Sequence, residues 1–183
     1  MQHTLIALVE DKPGVLNRVA SLFRRRAFNI DSLTVGHTDT AGISRMTIVM
    51  DSDNVSAERV ASYLYKLVNV IQVEDVTDRP TVSRDLAMIK VAVSATNRTE
   101  IIQLVDVFRA RIVDVTNDSL IVEITGDEEK IDGFVDVLRP YGIAEMVRTG
   151  IVSMLRGSTA IVSNGAAMYA VVGGNGKVHA MYR

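Results

Sequence analysis

The sequence predicts an α+β fold made of two tandem βαββαβ units in the ferredoxin-like, split-βαβ arrangement. Three observations predict it. Apolar residues alternate with period two in short runs and recur at 3.6-residue spacing in longer ones. The order of those runs is strand, helix, strand, strand, helix, strand within the first 76 residues. After a polar break at Asp78-Arg79-Pro80-Thr81 the same order begins again.

The first strand runs from Thr4 to Val9. Asp11-Lys12-Pro13-Gly14 turns the chain into a helix, since proline is favoured at the first helical position. Val15, Leu16, Val19, Leu22 and Phe23 then form one apolar face, and the helix stops near Ala27. Asn29 to Gly36 is the second strand, Thr38 to Gly42 a turn, and Ser44 to Met50 the third strand. Ser52-Asp53-Asn54 offers caps for a second helix with Val60, Leu64, Leu67 and Val68 on its apolar face. Val70 to Val76 is the fourth strand.

In the second unit, Leu86 to Val93 is a strand, and Asn97 with Glu100 reads as a helix cap. Ile101, Ile102, Leu104, Val105 and Phe108 make that helix's apolar face. Ile112 to Thr116 is a strand, Asn117-Asp118-Ser119 a turn, and Leu120, Val122 and Ile124 alternate in the next strand. Thr125 with Glu128 reads as a capping box ahead of Ile131, Phe134, Val135 and Leu138. Ile143 to Val152 closes the unit. The expected organisation is therefore 1–78, 79–157, and a glycine-rich tail at 158–183 that is flexible or ordered by a partner. Tyr169 to Val172 has the makings of a strand there.

Composition narrows the function. Hydrophobic residues at 48% supply a core, so wholesale disorder is not expected. The net charge of -2 and aromatic content of 5% argue against nucleic-acid binding, which on this fold needs basic surface and stacking rings. Arg24-Arg25-Arg26 reads as a helix C-terminus complemented by cations. The absence of cysteine removes disulfides and thiolate metal sites. No apolar run is long enough to span a membrane, and no secretory leader pattern opens the chain, so a cytoplasmic location is expected.

No catalytic or metal-binding set is expected. His3, His37 and His179 lack metal-type spacing, and nucleophile-elbow, dinucleotide and Walker A patterns are absent. The first strand–helix junction is the candidate site. A helix start offers backbone N–H groups to a carboxylate. Gly14 lets a ligand approach the backbone, and Asp11 is placed to cap the helix or to pair with an ammonium. These features suit an amino acid. Taken alone, Asp-x-Pro-Gly also reads as no more than a turn and a cap.

Glu10-Asp11-Lys12-Pro13-Gly14-Val15-Leu16, Arg18-Val19, Leu22-Phe23, Phe28 to Val35 and Ser44 to Ile48 resemble an ACT domain. With Lys66 to Val70, Val73, Ile112 to Val115, Arg148 to Ile151 and Arg156-Gly157, the chain resembles the small regulatory subunits of acetohydroxyacid (acetolactate) synthase over about residues 2–157. The resemblance implies that the first unit is an ACT domain and that the chain has no catalytic residues of its own. It implies an acetolactate synthase catalytic (large) subunit as partner, activation of that subunit, and feedback inhibition by a branched-chain amino acid, valine first. Thiamine diphosphate, magnesium and FAD would then belong to the catalytic partner and not to this chain. It implies a homodimer through ACT domains. The effector would lie between Asp11, Gly14, Val15 and Leu16 of one chain and Asn29 and Ile30 of its mate. Asp11 stands where many relatives have asparagine; a carboxylate there favours an ammonium and repels a carboxylate. The tail beyond Gly157 has no counterpart in the family pattern. The alternative is a stand-alone ACT sensor for another metabolic enzyme.

Overall fold

The computed structural model describes residues 2–51 and 56–157, with the backbone alone at 169–172 and 178–181. Its first elements are β1 (Gln2–Glu10), α1 (Val15–Arg25), β2 (Ser32–His37), β3 (Ile43–Asp51), α2 (Ala57–Leu64) and β4 (Val70–Asp75). They form an antiparallel sheet in the order β2-β3-β1-β4. Next come β5 (Thr81–Ala92), α3 (Arg98–Val107), β6 (Arg111–Val115), β7 (Ser119–Gly126), α4 (Glu128–Leu138) and β8 (Ile143–Arg148). Their sheet runs β6-β7-β5-β8, the same order, and β9 (Val152–Leu155) also pairs with β5. The expected pair of ferredoxin-like units is thus present. β10 (Tyr169–Val172) and β11 (Val178–Met181) pair with each other; the rest of the tail lies outside the described residues. The chain divides into two compact units, Met1–Val82 with Ser153–Arg183, and Ser83–Val152.

Periodicity explains both cores. Leu5, Ala7 and Val9 alternate on β1, and Met46, Ile48 and Met50 on β3, all against Val15, Val19, Leu22 and Phe23 of α1 and Val60 and Leu64 of α2. In the second unit Ala87, Ile89 and Val91 of β5 and Leu120, Val122 and Ile124 of β7 meet Ile101, Val105, Ile131, Phe134 and Leu138.

The helix ends differ from expectation in instructive ways. Pro13 is not the first helical residue. Val15 N–H donates to the Lys12 carbonyl at 3.3 Å and Gly14 lies at φ 84, ψ -4, so Lys12 to Val15 is a type II turn with proline and glycine at its centre. Helix α1 closes with Phe28 N–H on the Phe23 carbonyl and Ala27 N–H on that of Arg24, a Schellman arrangement with Ala27 at φ 54. The chain then needs Phe28 to Asp31 to return to the sheet, so β2 starts at Ser32 rather than Asn29. Ser52-Asp53-Asn54 lies outside the described residues, and Ser56 occupies the N-cap of α2. That helix ends at Leu64, leaving Val68 exposed, because tighter three-residue bonds replace the helical ones at Lys66 and Leu67.

Strand β5 already begins at Thr81, so the polar break is shorter than expected. Asn97 stands at the N-cap of α3 as expected, but its side chain makes no cap bond; its Oδ1 accepts from Ser94 N–H at 2.7 Å. Nor does Thr125 cap α4, because it still pairs within β7. Asp127 takes the role, accepting from Lys130 N–H at 2.9 Å. Gly150, at φ 86, splits the expected last strand into β8 and β9.

Candidate effector site

The β1–α1 turn lies at the end of the first sheet, where β1 finishes. Its backbone is pinned twice: Asp11 N–H donates to the Gly42 carbonyl at 2.8 Å, and Glu10 N–H to the Asn69 carbonyl at 2.9 Å. Gly14 is solvent-exposed, and a Cβ built there would meet nothing within 4 Å. Glycine is required by its positive φ and not by crowding. No side chain caps α1. The amides of Leu16 and Asn17 belong to the first-turn donors that an α-helix leaves without an intrahelical acceptor. They give this end of the helix the partial positive charge that suits a carboxylate.

The sequence-predicted residues divide into two groups. Asp11, Gly14, Val15 and Leu16 sit together at the turn. Val15 is buried in the core, so only its backbone is available to a ligand, whereas the Leu16 side chain is half exposed. Asp11 does not cap the helix; its carboxylate lies 3.3 Å from His37 Nδ1 at the end of β2.

Asn29 and Ile30 are elsewhere. Ser32 lies opposite Val49, which pairs with Thr4, so Asn29 and Ile30 approach the sheet at the end where β1 begins. Thr4 to Glu10 spans roughly 20 Å of strand. One chain therefore cannot bring Asn29 to Gly14. Asn29 is exposed and donates from Nδ2 to the Asp31 carboxylate at 2.7 Å, while Ile30 packs in part against the core.

Beneath the turn is a polar group that sequence reasoning missed. Asn69, 8% exposed, donates from Nδ2 to Glu10 Oε2 at 2.5 Å, and its Oδ1 accepts from Arg18 Nη1. Lys12 Nζ lies 3.1 Å from the same Glu10 oxygen. Those contacts, the Asn69 bond first and then Lys12, hold the Glu10 carboxyl below its ordinary value. No sequence spacing joins residues 10, 18 and 69; only the pairing of β1 with β4 does so.

Among the described residues no cluster of histidines and carboxylates is arranged to hold a metal ion, and no helix is long and apolar enough to cross a membrane.

Residues 5–72 match the family described as the AHAS small subunit-like ACT domain, and residues 84–157 match the small subunit of acetolactate synthase. The chain belongs to the acetolactate synthase small-subunit family. A probable acetolactate synthase small subunit of Archaeoglobus fulgidus is 52% identical over 158 residues, covering 86% of this chain and 99% of that protein. The acetolactate synthase small subunit of Mycolicibacterium smegmatis is 50% identical over 159 residues, covering 87% and 94%. The crystal structure of the acetolactate synthase small subunit from Thermotoga maritima aligns at a TM-score of 0.81 with 40% identity, covering 87% of this chain and 99% of that one. The first unit is thus an ACT domain, and the small-subunit name implies a large, catalytic subunit as partner. These relatives match about 86% of the chain, so this small subunit is longer than they are.

Proposed function

We propose that this small subunit binds and activates an acetolactate synthase catalytic subunit and confers feedback inhibition by a branched-chain amino acid, with valine the foremost candidate. The chain supplies no catalytic residue in this reading. Thiamine diphosphate, magnesium and FAD reside in the catalytic partner, and the complex works in the cytoplasm. Residues 1–78 are the effector-binding domain, and residues 79–157 are a second domain of the same fold.

The observation that carries the reading is the separation of the two residue groups. Gly14 and the helix-start amides lie at one end of the sheet and Asn29 at the other. A site that uses both needs two chains, which is what side-by-side pairing of ACT domains supplies. In that site the amides near Gly14 and Val15 receive the effector carboxylate. Asn29 of the mate, carrying both donors and an acceptor, holds the remaining polar group. Leu16 and Ile30 contact the aliphatic side chain, and Asp11 faces the ammonium. Discrimination between aliphatic effectors is then modest, about 1–3 kcal/mol per methylene. Regulation needs an effector that favours one state of the complex, with a coupling of about 1–3 kcal/mol.

The test is acetolactate synthase activity of the matched, purified catalytic subunit, with and without this chain, at zero and millimolar valine. Stimulation that valine reverses supports the reading. Stimulation without inhibition keeps the partner and removes valine. Absence of stimulation leaves the alternative, an ACT sensor serving another enzyme.

A further inference from the structure

Asn69 is bound on both sides by residues that bracket the β1–α1 turn. Glu10 is the last residue of β1, and Arg18 is in the first full turn of α1. The Asn69 amide joins the two, donating to Glu10 and accepting from Arg18, from a position beside the end of β1 and immediately before β4.

The second unit supplies the comparison that gives this bridge meaning. Both units share a register irregularity at the same step, between Leu8 and Val9 and between Lys90 and Val91. Counted from there the frames agree again at the helix ends, although α3 starts one residue later than α1, with Asn97 and Gly14 at the two N-caps. Ala27 and Arg109, both at positive φ, end α1 and α3 at equivalent places. On that frame Ala92 stands for Glu10 and Glu100 for Arg18, while Thr96 stands for Gly14. Gly142, immediately before β8, stands for Asn69 before β4. The backbone bond is kept in both units: Glu10 N–H reaches the Asn69 carbonyl, and Ala92 N–H the Gly142 carbonyl, each at 2.9 Å. In the second unit Glu100 bonds Tyr141, beside Gly142, but no side chain there links the helix to the strand end at Ala92. The two-armed link from strand end to helix occurs in the unit whose turn carries Gly14.

We infer that Asn69 is a positioning residue for the effector turn, with Glu10 and Arg18 as its two arms. It fixes the entry of α1 relative to β1, so that the Leu16 and Asn17 amides are presented in one orientation to an incoming amino-acid carboxylate. Pre-organising donors in this way spares a ligand the entropy of ordering them. The inference rests on the effector reading above and deepens it by naming what sets the affinity of that site.

The test swaps the polarity of one bond. Asn69→Asp sets a carboxylate against Glu10 while keeping an acceptor for Arg18. Glu10→Gln in the same chain turns residue 10 into the donor and restores the bond. Two readouts are taken on the full chain. Hydrogen exchange across residues 10–18, without effector, should rise at least about 10-fold in Asn69→Asp and return in the double variant to within about 3-fold of the unsubstituted chain. With the catalytic subunit present, the valine concentration giving half-inhibition should rise and return in the same pattern. A rise in exchange spread over both units, rather than confined to residues 10–18, would mark a general loss of folding and overturn the inference. Unchanged exchange in Asn69→Asp, or an unrescued double variant, overturns the inference. Exchange that follows the pattern in a chain that binds no branched-chain amino acid keeps Asn69 as the holder of the turn and overturns the effector reading instead.

Discussion

Arg148 donates from Nε to the buried Asp85 carboxylate at 2.7 Å, and Asp85 is only 3% exposed. The same carboxylate accepts from the Thr149 hydroxyl and the Gly150 amide, each at 3.1 Å. Arg148 also reaches Asp132 on α4 at 2.7 Å, so these three residues fasten β5, β8 and a helix of the second unit. Without Asp85, Arg148 keeps Asp132 as a partner, but the Gly150 amide loses its buried acceptor. Asp85→Ala should destabilise the chain by about 1–3 kcal/mol. Urea unfolding followed by circular dichroism measures this. A change under about 1 kcal/mol would show that the pair contributes little.

Gly14 separates conformation from charge. Because a Cβ there meets nothing, Gly14→Ala should cost only the strain of a positive φ, about 1 kcal/mol, and should weaken the valine response modestly. Gly14→Asp carries similar strain and adds a negative charge beside the proposed carboxylate site. It should abolish the valine response. Equal responses in the two variants, measured as inhibition curves of the reconstituted enzyme, would mean that no anion binds there.

Pairing makes a second use of that position. A chain with Gly14→Asp and a chain with Asn29→Ala should each fail to respond to valine when alone. Mixed, they form pairs in which one site joins the intact Gly14 of one chain to the intact Asn29 of the other. Valine inhibition should reappear in the mixture at up to about half the usual number of sites, as the two-chain arithmetic requires. Its failure to reappear in verified mixed pairs would refute a site shared between chains.

Two helix ends carry non-glycine residues in the left-handed region, Ala27 at φ 54 and Arg109 at φ 53. Relief of that strain outweighs the extra backbone entropy of glycine. Ala27→Gly and Arg109→Gly should each stabilise the chain by about 0.5–1 kcal/mol. Thermal denaturation of the single variants reads the effect, and a lower melting temperature would contradict it.

Glu10 gives a pH dependence whose sign is fixed. Asn69 and Lys12 hold its carboxyl below the ordinary value of 4.5 in the folded chain. Its contribution is complete above the unfolded value and is lost as pH falls through the lower, folded one. Between neutral pH and about pH 3.5 the unsubstituted chain should therefore lose more stability than Glu10→Gln, with the difference opening only below about pH 4.5. Parallel curves for the two proteins in urea titrations at stepped pH would count against this contact.

Both sheets were legible because each buries one regular face. Leu5, Ala7 and Val9, or Leu120, Val122 and Ile124, announce a strand whatever surrounds them. Helix ends were less legible because several residues compete to cap. Asn97 and Thr125 had suitable side chains, yet Asn97 bonds Ser94 and Thr125 stays in its ladder while Asp127 caps. At the candidate site, Gly14 was readable as a local signal, whereas Asn69 was not. Its partners lie 59 and 51 residues away, and only the strand order brings them together.

The placement of Gly14 and Asn29 at opposite ends of one sheet also makes the proposed sensing concentration-dependent. A ligand that touches both must bridge two molecules, so it binds the pair and not the separate chains. By mass action it then tightens their association, and a scarce or diluted chain needs more effector for the same occupancy. The cell's supply of this subunit would set the threshold of the feedback as well as its capacity.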